Sequence, residues 1–157
     1  IAVIGCGGAG RAAALGLAVA GATVVLANRG PERGMAAARS LGLPFVPLAE
    51  LVEEPVGGAP PAGGFEVYVH ATLLGRRNAD ELPLPVARLA PGAVVVDLVY
   101  GEAPTPLVAE ARRRGLTAID GREVLLFQAI PQFRSMTGRE LPVALAREVL
   151  GLAAEGA

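Results

Sequence analysis

Three glycines near the start of the chain have the spacing of a phosphate-binding loop. Gly5, Gly7 and Gly10 fit the pattern G-x-G-x-x-G directly after an apolar run at residues 1–4. In such a loop the first glycine allows a tight turn, the second lets the backbone approach a pyrophosphate, and the third packs a helix on a strand. A glycine turn without a ligand is the alternative interpretation. The strand before the loop and the helix after it favour pyrophosphate binding.

Cys6 lies within this loop and is the only cysteine of the chain. A thiol near a helix N-terminus can be reactive, because the thiolate is stabilised there. The simpler interpretation is a small apolar loop residue, and we favour it. A single cysteine excludes a disulfide within the chain and a metal site built from several cysteines, and no metal is expected.

The second strand of the pattern ends in residues that indicate which nucleotide binds. An NAD site usually has Asp or Glu there, to accept a hydrogen bond from the ribose 2′-hydroxyl. This chain has Asn28 and Arg29, with Arg33 one helical turn further on. A guanidinium is always charged and matches the geometry of a phosphate. The pattern therefore predicts NADP(H) as the cofactor, with solvated surface charges as the alternative.

His70 is the only histidine of the chain and follows a predicted strand. Its ordinary pKa suits proton transfer near neutral pH. A hydrogen bond at the strand tip is the other interpretation, and it is the one that we favour.

Apolar strands and helices alternate along the whole chain, and the strands are apolar on both faces. Strands are predicted at residues 1–4, 23–27, 45–46, 65–69, 94–99 and 116–119. Helices are predicted at residues 11–20, 31–41, 48–53, 106–114, 123–135 and 139–150, with a Gly/Pro loop at 54–64. This alternation predicts an α/β fold with a doubly wound parallel sheet in a three-layer α/β/α arrangement of the Rossmann type, as one domain over 1–157. The strand tips after Ile4, Ala27, Val69 and Val99 should converge on one ligand site.

Composition narrows the possible partners. Hydrophobic residues make up 52% and aromatic residues only 4%, which predicts an aliphatic core. The net charge of −1 gives no indication of a nucleic-acid or membrane surface. No apolar run approaches the roughly 20 residues of a membrane span, and no secretion signal is visible, so we expect a cytoplasmic protein. The chain starts at Ile1, within a strand-like run, and we interpret it as part of a longer protein.

Several separated motifs add a family resemblance that covers nearly all of the chain. The first are Gly5-Cys6-Gly7-Gly8-Ala9-Gly10-Arg11, Asn28-Arg29-Gly30-Pro31-Glu32-Arg33 and His70-Ala71-Thr72, followed by Leu74-Gly75. The later ones are Asp97 and Tyr100 with Thr105-Pro106-Leu107, Ala111 and Gly115, then Asp120-Gly121 with Leu125 and Gln128, and finally Phe133 with Thr137-Gly138. Together they resemble the C-terminal, NADP-binding domain of the shikimate dehydrogenases.

The resemblance implies a role for each group of residues. Gly5, Gly7, Gly8, Ala9 and Gly10 would hold the pyrophosphate, and Asn28, Arg29 and Arg33 the adenosine ribose and its phosphate. The nicotinamide side would be lined by Ala71, Thr72, Leu98 and Gly121. Tyr100 and Gln128 would reach the hydroxy-acid substrate. For these last two, a half-buried core tyrosine and a solvated glutamine are the alternatives.

The resemblance also implies that catalysis needs residues outside this chain. In the family a Lys and an Asp of a separate N-terminal substrate domain transfer protons while NADPH reduces a ketone, and this chain contains no lysine. We therefore expect nucleotide binding without turnover. The chain departs from the family motifs at Gly30, His70, Arg76 and Glu123. These changes leave open a non-catalytic nucleotide-binding module, while a quinate, methylenetetrahydrofolate or glutamyl-tRNA oxidoreductase is a further alternative.

Overall fold

The computed structural model describes residues 1–52, 64–74 and 82–153 and shows six parallel strands flanked by helices. The strands are β1 (Ala2–Ile4), β2 (Val25–Asn28), β3 (Phe45–Pro47), β4 (Val67–His70), β5 (Val94–Asp97) and β6 (Thr117–Ile119). The helices are α1 (Gly8–Val19), α2 (Pro31–Leu41), α3 (Leu48–Val52), α4 (Pro106–Arg113), α5 (Gly121–Thr137) and α6 (Val143–Val149), with a 3-10 turn at Val86–Arg88. The strand order is β3-β2-β1-β4-β5-β6, so the predicted doubly wound fold is confirmed.

The central strands are buried because helices cover both faces of the sheet. Alternate residues of β1 enter separate core clusters, Ile4 with Ala27 and Val95, and Val3 with Leu26. Burying one such Val, Leu or Ile side chain contributes roughly 1.5–3 kcal/mol relative to leaving it exposed. This aliphatic burial holds the strand tips in register at the carboxyl edge of the sheet, where Ile4 pairs with Ala27 and with His70.

The sequence predicted which helices and strands form more accurately than it predicted their first and last residues. α2 runs from Pro31 and stops at Gly42, which has the left-handed φ of 66°, as predicted. β5 stops at Asp97 rather than at residue 99, because the Asp97 carboxylate takes the N–H of Val99 out of the ladder. α6 begins at Val143, four residues later than predicted, because Pro142 keeps the preceding residue out of helical geometry.

Other predicted ends also differ. α1 begins at Gly8 rather than at residue 11, because the loop glycines themselves form the first turn. α5 begins at Gly121, where the Asp120 side chain caps the helix. Of the predicted loop at 54–64, residues 54–63 lie outside the described residues, as does the last residue of the helix predicted at 48–53.

Across the described ranges, no helix is long and apolar enough to cross a membrane.

A buried arginine attaches the end of the chain to the sheet. Arg122, at the start of α5, pairs with Asp120 at 3.0 Å and also donates to the carbonyls of Glu102, Leu150 and Gly151. Burial alone would raise the pKa of Asp120, but hydrogen bonds from Arg122 outweigh it and hold that pKa below its ordinary value. No residue of α6 is buried, so these polar contacts carry much of its attachment.

We predict that Arg122→Met lowers the free energy of unfolding by about 3 kcal/mol, because it leaves the buried Asp120 carboxylate unpaired. The folded pKa of Asp120 is depressed, so its stabilising contribution is complete at neutral pH and is lost as the pH falls through that folded pKa. Urea denaturation at pH 7 and at about pH 3 should therefore show a larger effect of the substitution at pH 7. Arg134→Met, which removes an exposed pair with Glu140, is the matched control on the same helix. Equal effects of both substitutions would contradict this account.

Candidate nucleotide-binding site

The loop after β1 is held by contacts that leave no room for side chains. Gly5 has a φ of 107° and donates to the carbonyl of Ala27 at 2.8 Å. A Cβ on Gly5 would lie 2.8 Å from the carbonyl oxygen of Ala71, and one on Gly10 would lie 1.9 Å from the carbonyl oxygen of Gly5. Helix α1 can therefore start directly against the end of β1 only because these positions are glycine.

The N-terminus of α1 is uncapped and points its donors at the carboxyl edge of the sheet. Gly7 occupies the N-cap position without a side-chain hydrogen bond, and no acidic residue lies in the first turn. A Cβ on Gly7 or Gly8 would meet nothing within 4 Å, so the backbone faces open space there. Free N–H groups and the positive end of the helix dipole are the features that bind a phosphate.

A cleft of about 710 Å³ opens beside this loop. The residues that line it come from the ends of β1, β2 and β4 and from α2 and α3: Ile4, Gly5, Asn28, Arg29, Gly30, Arg33, Leu48, Thr72, Leu73 and Leu74. Three of the four predicted strand tips therefore meet at one cavity. A second cavity of about 410 Å³ shares Arg29, Leu48 and Leu74 with the first and is otherwise largely apolar.

Arg29 and Arg33 bring positive charge to the cleft without a partner. Both side chains are exposed, and neither forms an ion pair or hydrogen bond with another residue in the described part of the chain. Asn28 is turned back on the chain, because its amide donates to the carbonyl of Gly30 at 2.9 Å. The uncompensated guanidinium groups and the uncapped helix give this end of the cleft the potential of an anion site.

Cys6 is buried and its thiol lies 3.9 Å from the carbonyl oxygen of Ala27. Burial raises the pKa of this thiol, and the positive charges of Arg33 and Arg11 offset only part of that effect. The thiolate is therefore disfavoured, which supports the interpretation of Cys6 as a packing residue.

His70 is fully buried at the tip of β4 and both of its ring nitrogens are occupied. Nδ1 lies 2.8 Å from Oδ1 of Asp97, and Nε2 lies 2.6 Å from Oγ1 of Thr72. Thr105 donates to the other oxygen of Asp97 at 2.5 Å. The geometry thus supports the hydrogen-bonding interpretation of His70 over direct proton transfer to a ligand.

The remaining predicted residues lie away from the lining of the cleft. Ala71 packs under the glycine loop, and Leu98 is half-buried against a core cluster while its N–H donates to the carbonyl of His70. Gly121 allows close packing, since a Cβ there would lie 2.2 Å from the carbonyl oxygen of Val99. Tyr100 and Gln128 are exposed, and within the described ranges neither lines either cavity. Their roles remain predictions.

The departures from the family motifs have different structural consequences. The Glu123 carboxylate does not face the cleft as a free charge, because Arg147 binds it at 2.6 and 3.0 Å. Gly30 caps α2 without a side-chain hydrogen bond and lines the cleft. Arg76 lies outside the described residues. In the ranges that the structure describes, no group of His, Cys, Asp and Glu could hold a metal ion.

Sequence reasoning gave no role to Asp97 and Thr105, although both appeared in the motifs. A usable signal was present: Asp97 ends β5, and its neighbour on β4 is His70, so the two tips pair across the sheet. Thr105 before Pro106 is the usual start of a helix, with the hydroxyl accepting from Val108. Leu48 and Leu73 were also missed as lining residues, because apolar side chains carry no motif.

We predict that two alanine substitutions in the loop affect different properties, one mainly stability and the other mainly nucleotide binding. Gly10→Ala should lower the free energy of unfolding by about 2 kcal/mol or more, because its Cβ overlaps backbone that cannot move freely. Gly7→Ala should cost at most about 1 kcal/mol but weaken nucleotide binding, because its Cβ enters the space of the ligand. Gly16→Ala, at an open position of the same helix, is the control and should not weaken binding. Thermal unfolding and nucleotide titration measure both effects, and unimpaired nucleotide binding by Gly7→Ala would contradict this use of the loop.

The fold and the site define a dinucleotide-binding domain of the Rossmann type. A family model described as an FAD binding domain matches residues 1–59, which contain the first β-α-β unit and its glycine loop. This unit is shared by proteins that bind flavin and nicotinamide dinucleotides, so the match covers the common part of such sites.

Comparison with whole proteins is more specific. The NADP-dependent shikimate dehydrogenase of Acidiphilium cryptum is 43% identical over 136 residues, which cover 87% of this chain and 47% of that protein. The crystal structure of shikimate 5-dehydrogenase from Thermus thermophilus, in complex with NADP(H) and shikimate, superposes with a TM-score of 0.79 at 33% identity, over 96% of this chain and 53% of that one. Quinate dehydrogenase from Corynebacterium glutamicum in complex with NAD also gives 0.79, at 28% identity, over 96% and 54%.

The resemblance drawn from the motifs is therefore confirmed, and the chain is related to the shikimate dehydrogenases in sequence and in fold. It spans about half the length of the relatives that it matches.

Proposed function

We propose that this chain is the NADP(H)-binding domain of a shikimate dehydrogenase that reversibly reduces 3-dehydroshikimate to shikimate in aromatic amino-acid biosynthesis. The observation that carries the proposal is the pair of arginines, Arg29 and Arg33, which have no partner among the described residues and lie beside the uncapped N-terminus of α1. A quinate dehydrogenase of the same fold was solved with NAD, so the fold alone does not choose the nucleotide. Here the guanidinium groups favour NADP(H) over NAD(H). They match the geometry of a 2′-phosphate, and the end of β2 carries no carboxylate to accept a hydrogen bond from a ribose 2′-hydroxyl.

Each part of the cleft then has a ligand group to hold. The N–H groups at the start of α1 would bind the pyrophosphate, and Arg29 and Arg33 the 2′-phosphate. The apolar second cavity, which Arg29 also lines, would take the adenine ring, with the planar guanidinium against its face. When bound, the nucleotide supplies the hydride. This chain would fix its position and exclude water from one side.

Acid–base chemistry would come from a domain outside this chain. The chain contains no lysine, and the Lys and Asp expected from the family lie in an N-terminal substrate domain. Large apolar side chains on the last two helices are exposed: Phe127, Met136, Leu145 and Val149. Such a surface supports packing against another domain, across which Tyr100 and Gln128 would meet the substrate. Like other biosynthetic enzymes of this class, the protein would act in the cytoplasm.

A non-catalytic nucleotide-binding module is the second candidate, and a quinate dehydrogenase is the third. The module was suggested by charged replacements near the reacting end. Glu123 is neutralised by Arg147 and His70 is enclosed by hydrogen bonds, which weakens that argument. Substrate profiling of the full-length protein with shikimate and quinate separates the enzymes.

We predict that Arg29→Met weakens NADPH binding at least tenfold and NADH binding much less, because both nucleotides carry the adenine ring but only NADPH carries the 2′-phosphate. Isothermal titration or the fluorescence of bound nucleotide measures both affinities. Arg39→Met, an exposed position in the last turn of the same α2 helix, is the matched control and should change neither. Equal affinity of the wild-type chain for NADPH and NADH would overturn the proposed cofactor.

We also predict that the chain by itself binds NADPH but does not oxidise shikimate with NADP⁺. The reason is that it has no lysine to exchange a proton with the substrate hydroxyl. Absorbance at the nicotinamide band gives the rate, and the same sample must first be shown to bind nucleotide. Robust turnover would refute the placement of the acid–base groups in another domain.

A further inference from the structure

His70 connects a buried carboxylate to a side chain that lines the cleft. Its own exposure is 0%, and that of Asp97 is 1%. On the other side, Thr72 is half-buried and lines the 710 Å³ cavity. A hydrogen-bonded path therefore runs from the interior of the sheet to the surface that meets the ligand.

The surroundings of Asp97 determine which ring nitrogen of His70 carries the proton. Oδ1 accepts from the N–H of Val99 at 2.9 Å, and Oδ2 accepts from the hydroxyl of Thr105 at 2.5 Å. Thr105 has its own lone pair engaged by the N–H of Val108, so its proton is directed to Asp97. Both oxygens of the ionised Asp97 carboxylate therefore accept hydrogen bonds. Nδ1 of a neutral His70 also faces this carboxylate, so Nδ1 carries the ring proton and donates it to Oδ1. Nε2 is then an acceptor.

The tautomer of His70 fixes the direction of the Thr72 hydroxyl. With Nε2 unprotonated, Thr72 donates its single proton to His70 across 2.6 Å. The same oxygen accepts from the N–H of Leu74 at 3.1 Å. One lone pair remains, so Thr72 can accept a hydrogen bond from a ligand but has no proton to donate to it.

We propose that His70 is a positioning residue: through Asp97 and its own tautomer, it makes Thr72 a hydrogen-bond acceptor for an N–H or O–H group of the bound nucleotide. The groups of that chemistry on a nicotinamide dinucleotide are its ribose hydroxyls, its single carboxamide and the amino group of its adenine. The inference rests on the proposed function, because it requires a nucleotide in the cleft. It gives the only histidine of the chain a role that involves no proton transfer to substrate.

The test is a double-mutant cycle on NADPH affinity with His70→Asn, Thr72→Val and both together. An asparagine amide can still donate to Asp97 from the position of Nδ1, but nothing replaces Nε2. Each single substitution should weaken binding roughly fivefold, which is the loss of one ordinary hydrogen bond. The double substitution should be no weaker than Thr72→Val alone, because His70 acts through Thr72. In a Thr72→Ser background, which keeps the hydroxyl, the effect of His70→Asn should return.

The outcomes separate this inference from the proposed function. The role of His70 would be overturned if the losses of NADPH affinity of the two single variants multiplied in the double variant, or if His70→Asn left the affinity unchanged. Either result would leave the proposed NADPH binding intact. Failure of the wild-type chain to bind NADPH would overturn the proposed function and this inference with it.

The tautomer of His70 can also be measured by spectroscopy on the wild-type protein, which tests the inference even if a variant does not fold. The chain has one histidine, so the imidazole ¹⁵N resonances of the wild-type protein are unambiguous. We expect a protonated Nδ1 and an unprotonated Nε2 at neutral pH. A proton on Nε2, in the opposite tautomer or in the imidazolium form, would free the Thr72 proton for donation to the ligand and contradict the proposal.

Discussion

The site depends on how closely helix α1 can approach the end of β1. The carbonyl oxygen of Gly5 occupies the space that a Cβ on Gly10 would need, at 1.9 Å, and Ala71 closes the other side of Gly5. This contact places the first turn of α1 at the carboxyl edge of the sheet. The unsatisfied N–H groups of that turn then lie next to the cleft that Gly5 lines.

Several arginines of the described residues are bound to other protein groups, whereas Arg29 and Arg33 lie at the cleft and are available to a ligand. Arg122 and Arg147 are bound to carboxylates and backbone carbonyls, and they attach α5 and α6 to the rest of the domain. Arg113 and Arg114 share Glu110 on the surface. Arg29 and Arg33 differ from these: both lie at the cleft, and neither has a partner among the residues that the structure describes. An unneutralised pair of cations beside a helix N-terminus is the arrangement expected of a phosphate site.

Much of the fold and part of the site could be predicted from the sequence, for identifiable reasons. Proline at the start of α2 and glycine at its end bounded that helix, because both act through local backbone geometry. The glycine loop and Arg29 were found because their spacing along the chain is fixed by the turn that they make.

What could not be predicted depended on contacts between distant residues. The bond of Asp97 to Val99 that ends β5, and the paths from Asp97 to His70 and from Glu123 to Arg147, arise only when the strands and helices assemble. The meeting of Tyr100 and Gln128 with a substrate stays a prediction, because both are exposed here.

The most direct test of the phosphate site is ³¹P NMR of NADP⁺ bound to the wild-type chain. Guanidinium groups beside the 2′-phosphate should lower its pKa, so that the bound phosphate is already a dianion at about pH 6, where a free phosphate monoester is about half protonated. We expect a 2′-phosphate resonance that stays at the dianion position as the pH is lowered through that range. A resonance that titrates as it does in free NADP⁺ would contradict it.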